Sequence, residues 1–198
     1  MAIIFTILTF VSTFLGGLVG LRYKDMGHLI LGVTAGVLLG GVAVDIVPEL
    51  IGLLNQTQTE PIIAMGALVA GFFIFLILEK LLIIHHAQEN EYGEHKHPTV
   101  GIFSALALSG HSFLDGVGIG LGFQVSLAVG IIVAIAVISH DFSDGLNTVS
   151  LMLAHKNSVA RAKKLLFLDA IAPLLGVLST LLFTVPDKIL VLYLGFFA

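Results

Sequence analysis

Two short motifs in the second half of the chain combine residue types that bind metal ions. Both follow the pattern His-x-Phe-x-Asp-Gly, first in His111-Ser-Phe-Leu-Asp-Gly116 and again in His140-Asp-Phe-Ser-Asp-Gly145. On an α-helix, positions i and i+4 share a face and position i+1 lies about 100° around, so three polar residues of each motif cover one arc. The candidate ligands are His111, Ser112 and Asp115 in the first motif and His140, Asp141 and Asp144 in the second.

Both motifs lie near the centres of long apolar segments, where a charged side chain costs about 2.5 to 3.5 kcal/mol on insertion scales. A single buried histidine is usually just hydrogen-bonded, but two copies of one motif on consecutive segments are harder to explain in that way. Neither segment contains a Lys or Arg that could neutralise the acids. We therefore expect a cation to enter between the motifs, and a metal ion rather than protons alone.

The available donors restrict which metal this would be. The chain has no cysteine, so any metal must be held by imidazole and carboxylate. Such a mixed set suits Zn²⁺, Fe²⁺, Mn²⁺ or Cd²⁺, whereas Mg²⁺ and Ca²⁺ prefer oxygen alone. We expect zinc or one of these ions as a passing substrate, with no prosthetic group.

Several polar residues outside the two motifs could belong to the same path. Asp169, placed about a turn into the sixth apolar segment, could add a further ligand or an inward exit. Asp45 and Glu49 would form an outer entrance, although a helix end reaching the interface explains Glu49 better. The loop 85–98 is either a solvated linker or a site of weak metal capture. Its histidines are His85, His86, His95 and His97.

The composition indicates a membrane protein. The chain has 198 residues, of which 57% are hydrophobic and 11% charged, and its mean hydropathy is +1.07. A water-soluble domain of this composition is hard to justify, so the lipid bilayer is the expected solvent. The net charge of −4 and the thinly spread basic residues exclude a nucleic-acid partner.

The apolar runs predict an all-α, polytopic membrane helix bundle formed by a single transmembrane domain, 1–198. About 20 apolar residues cross the hydrocarbon core. The first run lacks the basic start of a signal peptide, so we expect it to be retained as a span. The run 189–198 would rise only about 15 Å, too little to cross alone. The six predicted spans are 3–21, 29–54, 62–84, 100–122, 127–153 and 165–185.

The basic residues predict the orientation. Eight of the 9 Lys and Arg follow or end the first, third and fifth spans, and only Lys188 lies on the other side. Because basic residues accumulate in cytoplasmic loops, the N-terminus is expected outside and the loop 85–98 inside. The sequence leaves the oligomeric state open, a homodimer being one alternative.

The two motifs resemble the paired His-Asn/Ser-x-x-Glu/Asp-Gly signatures of the ZIP family of zinc/iron permeases. Asp45-Ile-Val-Pro-Glu49, the His-rich loop and the outside N-terminus extend the resemblance over essentially the whole chain. It implies an eight-helix fold with inverted repeats and uptake of metal toward the cytoplasm by alternating access. It also implies a binuclear site with the following assignment. His111, Asp115, His140 and Asp144 would be primary ligands, Ser112 and Asp141 would hold a second ion completed by Asp169, and Asp45 would lie at the entrance.

The chain departs from the ZIP pattern at several positions. Ser112 stands where many members have Asn, and both motifs carry Asp where Glu is common. Leu114 and Ser143 replace a frequent proline, and Leu38 replaces a thioether side chain. Since the chain ends where a seventh helix begins, the resemblance implies that about two helices of the family fold are missing.

Two other functions fit parts of the sequence. An intramembrane metal-dependent hydrolase would use zinc to activate water, but it needs a general base and an open ligand position, and the H-E-x-x-H motif is absent. A proton-coupled carrier of an organic solute would use the acids as a relay and would leave the duplicated histidine motif unexplained. We expect a transporter and not an enzyme.

Overall fold

The computed structural model describes residues 1–23, 27–87 and 98–197, and within these ranges every regular element is helical. A π-helical turn (Val42–Ile46) joins α2 to α3, and a 3-10 turn (Thr180–Leu182) ends α7. The α-helices are α1 (Ala2–Arg22), α2 (Gly27–Gly41), α3 (Val47–Thr57), α4 (Pro61–Ala87), α5 (Pro98–Val125), α6 (Leu127–Ala154), α7 (Val159–Ser179) and α8 (Asp187–Phe197). The prediction of an all-α chain is confirmed over the described residues.

The first five predicted spans fall on helix throughout, with the second covered by α2, the π-helical turn and α3 together, and the sixth is helical as far as Leu182. The predicted turn 123–126 is shorter than expected, because α5 continues to Val125 and only Ser126 separates it from α6. Ser126 accepts a hydrogen bond from the Val129 amide at 3.1 Å and so caps α6. The sixth predicted span begins later than the helix that contains it. Its helix starts at Val159, directly after the capping residue Ser158, and therefore includes basic residues that we had assigned to a loop.

Four of these helices are long and apolar enough to cross a bilayer: α1, α5, α6, and α7 with its 3-10 end. Their lengths are 21, 28, 28 and 24 residues, against the roughly 20 that the hydrocarbon core requires. This result favours a membrane protein.

Helix α1 has its polarity reversed relative to a helix of a soluble protein. Its buried face carries small and hydroxylated residues, including Thr9, Thr13 and Gly16, while Ile4 and Ile7 are more than half exposed. The buried threonines donate to carbonyls one turn earlier, so they need no partner outside the helix. Such a helix gains close packing on its small face and is solvated by lipid on its apolar face.

Glycines allow the helix backbones to approach one another closely. A Cβ at Gly145 would lie 1.8 Å from the Thr13 carbonyl oxygen, and one at Gly16 would lie 1.9 Å from that of Phe142, so α1 and α6 touch backbone to backbone. On α5, a Cβ at Gly116 would lie 2.0 Å from the carbonyl oxygen of Pro173 in α7. Helix α5 is consequently held between α6 and α7.

A second contact system involves the last helix. Helix α8 packs against α4, where a Cβ at Gly71 would lie 1.9 Å from the Phe196 carbonyl oxygen. Its residue Val191 is fully buried in an apolar cluster with Leu50 and Leu53 of α3, Ile119 of α5 and further residues of α6. The short α8 is therefore an integrated part of the bundle.

We predict that Gly145→Ala destabilises the protein. The added methyl group would meet a backbone carbonyl of α1, which cannot move aside like a side chain, and overpacking of this kind costs about 1 to 3 kcal/mol. The melting temperature in detergent should fall. The matched control is Gly66→Ala, because a Cβ at Gly66 meets nothing within 4 Å. Equal melting temperatures for Gly145→Ala and wild type would contradict the packing.

Candidate metal centre

The two predicted motifs face each other across the antiparallel pair α5 and α6. Because a single residue connects the helices, their mid-helix segments are brought side by side. His111 and Asp115 lie one turn apart on α5, and His140 and Asp144 one turn apart on α6. One ligand atom from each of these four residues lies within 4.8 Å of all the others. We refer to these four residues as the primary cluster.

Asp115 is at the centre of the primary cluster. Its Oδ2 lies 3.5 Å from Nε2 of His111 and 3.4 Å from Nε2 of His140. The His140 Nε2 is also 3.9 Å from Oδ2 of Asp144. Donor atoms placed 2.0 to 2.1 Å from a tetrahedral zinc ion lie roughly 3.3 Å apart, so only small side-chain movements separate this arrangement from a zinc site.

The second nitrogen of His140 fixes the orientation of its ring. Nδ1 lies 2.9 Å from the carbonyl oxygen of Ala136, which can only accept a hydrogen bond, so Nδ1 carries a proton and donates it. In the neutral ring, Nε2 then holds a lone pair directed at the two aspartates. A lone pair facing carboxylates is repulsive unless a proton or a metal ion lies between them. A backbone carbonyl that orients a histidine is also a common feature around metal ligands.

Burial within the primary cluster is uneven. His140 and Asp144 are buried, whereas the His111 side chain is 32% exposed. The Asp144 Oδ2 is buried and accepts no hydrogen bond from the part of the chain that the structure describes. The cluster is therefore closed on the α6 side and accessible along His111.

The three residues predicted for a second ion are also buried. The Ser112 hydroxyl donates to Asp169 Oδ1 at 2.8 Å, and Thr148 donates to Asp169 Oδ2 at 2.7 Å. Asp141 is fully buried, and neither of its oxygens has a hydrogen-bond partner among the described residues. Asp115, Asp144 and Asp169 act on it electrostatically as neighbouring carboxylates. We call Ser112, Thr148 and Asp169 the hydroxyl cluster.

Asp169 occupies a different place in its helix than predicted. Because α7 begins at Val159, Asp169 lies near the middle of the helix and not a turn from its end. Pro173 also lies inside α7, which continues as α-helix to Ser179. This central position brings Asp169 level with Ser112 of α5.

The remaining predicted site residues have side chains outside the described part of the structure. Asp45 belongs to the π-helical turn, Glu49 to α3, and His85 and His86 to the end of α4, but their side chains fall outside the described part. His95 and His97 lie in the stretch 88–97, beyond the described residues. A π-helical turn at Asp45 was not expected, and such turns occur frequently at functional sites.

Sequence reasoning missed two residues near the clusters. Thr148 follows Asp144 by four positions, so helical periodicity could have indicated it. Tyr193 donates a hydrogen bond to the carbonyl oxygen of Leu114, immediately before Asp115. No local pattern marks Tyr193, since only the tertiary fold brings α8 to α5.

A scan against models of protein families finds no match to this chain, and a search of curated proteins also finds no significant similarity. The candidate metal centre is therefore defined by its own residues and their arrangement.

We predict that Asp115→Asn weakens metal binding more than any other single change in the primary cluster, because both histidines converge on its carboxylate. Even removal of a group that only orients a ligand typically costs 10- to 100-fold in affinity, so we expect at least a tenfold rise in the zinc Kd. Calorimetric titration of the purified protein would measure it. The control is Glu60→Gln, an exposed acid at the start of α4. An unchanged Kd for Asp115→Asn would exclude this carboxylate as a ligand.

Proposed function

We propose that this protein carries a divalent transition-metal ion, most readily zinc, across a membrane toward the cytoplasm through the primary cluster. The observation that carries the proposal is the convergence of two imidazoles and two carboxylates within 4.8 Å, on two helices long enough to span the bilayer. Transport fits better than permanent binding, because the donors include no thiolate and the cluster is accessible along His111.

The charge balance of the helix pair supports a dication. With neutral imidazoles, Asp115 and Asp144 contribute two negative charges, and neither α5 nor α6 contains Lys or Arg. At membrane depth such acids need a compensating cation. One divalent ion neutralises the primary cluster and also satisfies the lone pairs that face it.

Four converging side chains also favour a carrier over a hydrolase. Tetrahedral zinc is filled by four protein donors, whereas a hydrolytic site keeps one position open for the attacking water. Imidazole and carboxylate donors bind zinc less permanently than thiolates do, so the ion can leave again, which a carrier requires and a structural site does not.

The proposal includes the finer features implied by the resemblance to the ZIP family. These are the inverted-repeat fold, alternating access, an outside N-terminus in the cell membrane, and a second ion between Ser112, Asp141 and Asp169. Two observations support the second ion: the buried Asp141 oxygens accept no hydrogen bond from the described residues, and Ser112 donates a hydrogen bond to Asp169. For an ion to bind at this second position, Ser112 or Thr148 would have to break its hydrogen bond to Asp169.

We predict that His140→Ala and Asp144→Ala each abolish zinc uptake into proteoliposomes while leaving membrane insertion intact. Both residues are buried ligands on α6, and losing either leaves an incomplete coordination shell. Uptake of radioactive or fluorescently detected zinc at fixed pH is the measurement. Ser139→Ala, next to His140 but exposed, is the control and should transport normally. Wild-type uptake by either cluster variant would overturn the proposal. Hydrolysis of lipid or peptide without metal uptake would do the same and would support the hydrolase.

We also predict a specific pattern of competition. Because the donors include imidazole nitrogen, Cd²⁺ should inhibit zinc uptake at concentrations similar to that of zinc, and Mg²⁺ should fail even at roughly a thousandfold excess. Uptake assays with each competitor would show this. Equal inhibition by Mg²⁺ would indicate an all-oxygen site and exclude both histidines as ligands.

A further inference from the structure

Tyr193 connects the last helix to the helix that bears the first motif. It lies on α8, is partly buried, and donates its hydroxyl hydrogen to the carbonyl oxygen of Leu114 on α5. Leu114 immediately precedes Asp115, the residue on which both histidines converge. The contact therefore lies on the backbone of the central ligand.

The contact extends to the next turn of α5. A Cβ at Gly118 would lie 3.2 Å from the Tyr193 ring, so the ring lies against the turn of α5 that follows Asp115. Leu114 and Gly118 are four residues apart, so their carbonyl and amide form one rung of a regular α-helix. Tyr193 lies against both ends of this rung, with its hydroxyl at Leu114 and its ring at Gly118, and Asp115 lies between them. A side chain that contacts a helix backbone in this way can alter the local helix geometry.

Helix α8 is anchored independently of this contact. Gly71 of α4 lies against the Phe196 carbonyl. A Cβ added at Gly195 would lie 2.8 Å from the carbonyl oxygen of Ala64. Val191 is fully buried in the apolar cluster. Helix α8 is thus held mainly by α3 and α4, which contribute no residue to the primary cluster, and its tyrosine can act as a support against α5.

We propose that Tyr193 is a positioning residue that orients the Asp115 carboxylate for metal binding by holding the Leu114–Gly118 rung of α5. This inference rests on the proposed function, since it assumes that Asp115 binds the ion. A tyrosine present only to pack would need its hydroxyl satisfied but would not affect the geometry of bound metal. The difference between these two roles is measurable.

The test uses Co²⁺ as a spectroscopic substitute for zinc, bound to the full chain in detergent. Tyr193→Phe retains the ring and removes the hydroxyl, and we expect a shift of the visible d–d bands together with a rise of about tenfold in Kd. Tyr23→Phe, at an exposed position at the end of α1, removes a hydroxyl far from the site and is the matched control. It should leave both quantities unchanged.

A second variant covers the case in which Tyr193→Phe does not fold. Gly118→Ala keeps the tyrosine and displaces its ring by a few tenths of an ångström, and it should shift the same bands. Unchanged bands and Kd in whichever of the two variants fold, with normal Co²⁺ binding by wild type, would overturn the role of Tyr193 and leave the metal site standing. Absence of Co²⁺ and zinc binding by wild type would overturn the proposed function and this inference together.

Discussion

Two carboxylates and two imidazoles, placed close together halfway along two long apolar helices, impose the strongest constraint on this structure. Each charged group at that depth costs a few kcal/mol relative to an apolar residue, and like charges within a few ångströms add to the cost. In their neutral form the histidines carry no charge that could offset the carboxylates, and the Nδ1–H of His140 is donated to a carbonyl and not to an acid. The arrangement is stable in a bilayer if positive charge can reach it, and the accessible side along His111 provides for this.

This constraint requires helices that are held accurately, and the glycine contacts supply that accuracy. Gly116 and Gly145 directly follow the two motif aspartates, and each lies against a backbone carbonyl of a neighbouring helix. Since backbone contacts leave little room for adjustment, α5 and α6 are fixed in height and rotation close to the ligands themselves. The glycines that pack the helices and the candidate metal ligands thus lie in the same turn of α5 and in the same turn of α6.

The features that could be predicted were those that depend on residues close together in the sequence. Apolar run length located the helices, and the repeated motif identified all four residues of the primary cluster before any fold was known. The errors arose where boundaries depend on capping. Ser158 caps α7, so the helix begins within a basic stretch that hydropathy assigned to a loop. For the same reason Asp169 was predicted near the start of its helix, whereas it lies near the middle. Tyr193 could not be predicted, because its contact with Leu114 depends on how α8 packs against distant helices.

The two polar clusters differ in how their acceptors are satisfied, and this difference determines where a cation gains most. Both oxygens of Asp169 accept hydrogen bonds from hydroxyls, so a metal ion there must compete with bonds already formed. Oδ2 of Asp144 and both oxygens of Asp141 accept none from the described residues, so an ion near them replaces nothing. Unsatisfied buried acceptors cost about 1 to 3 kcal/mol each, and more when charged. An ion should therefore bind first at the primary cluster. Asp141, adjacent to His140 in sequence, would then favour its passage toward the hydroxyl cluster.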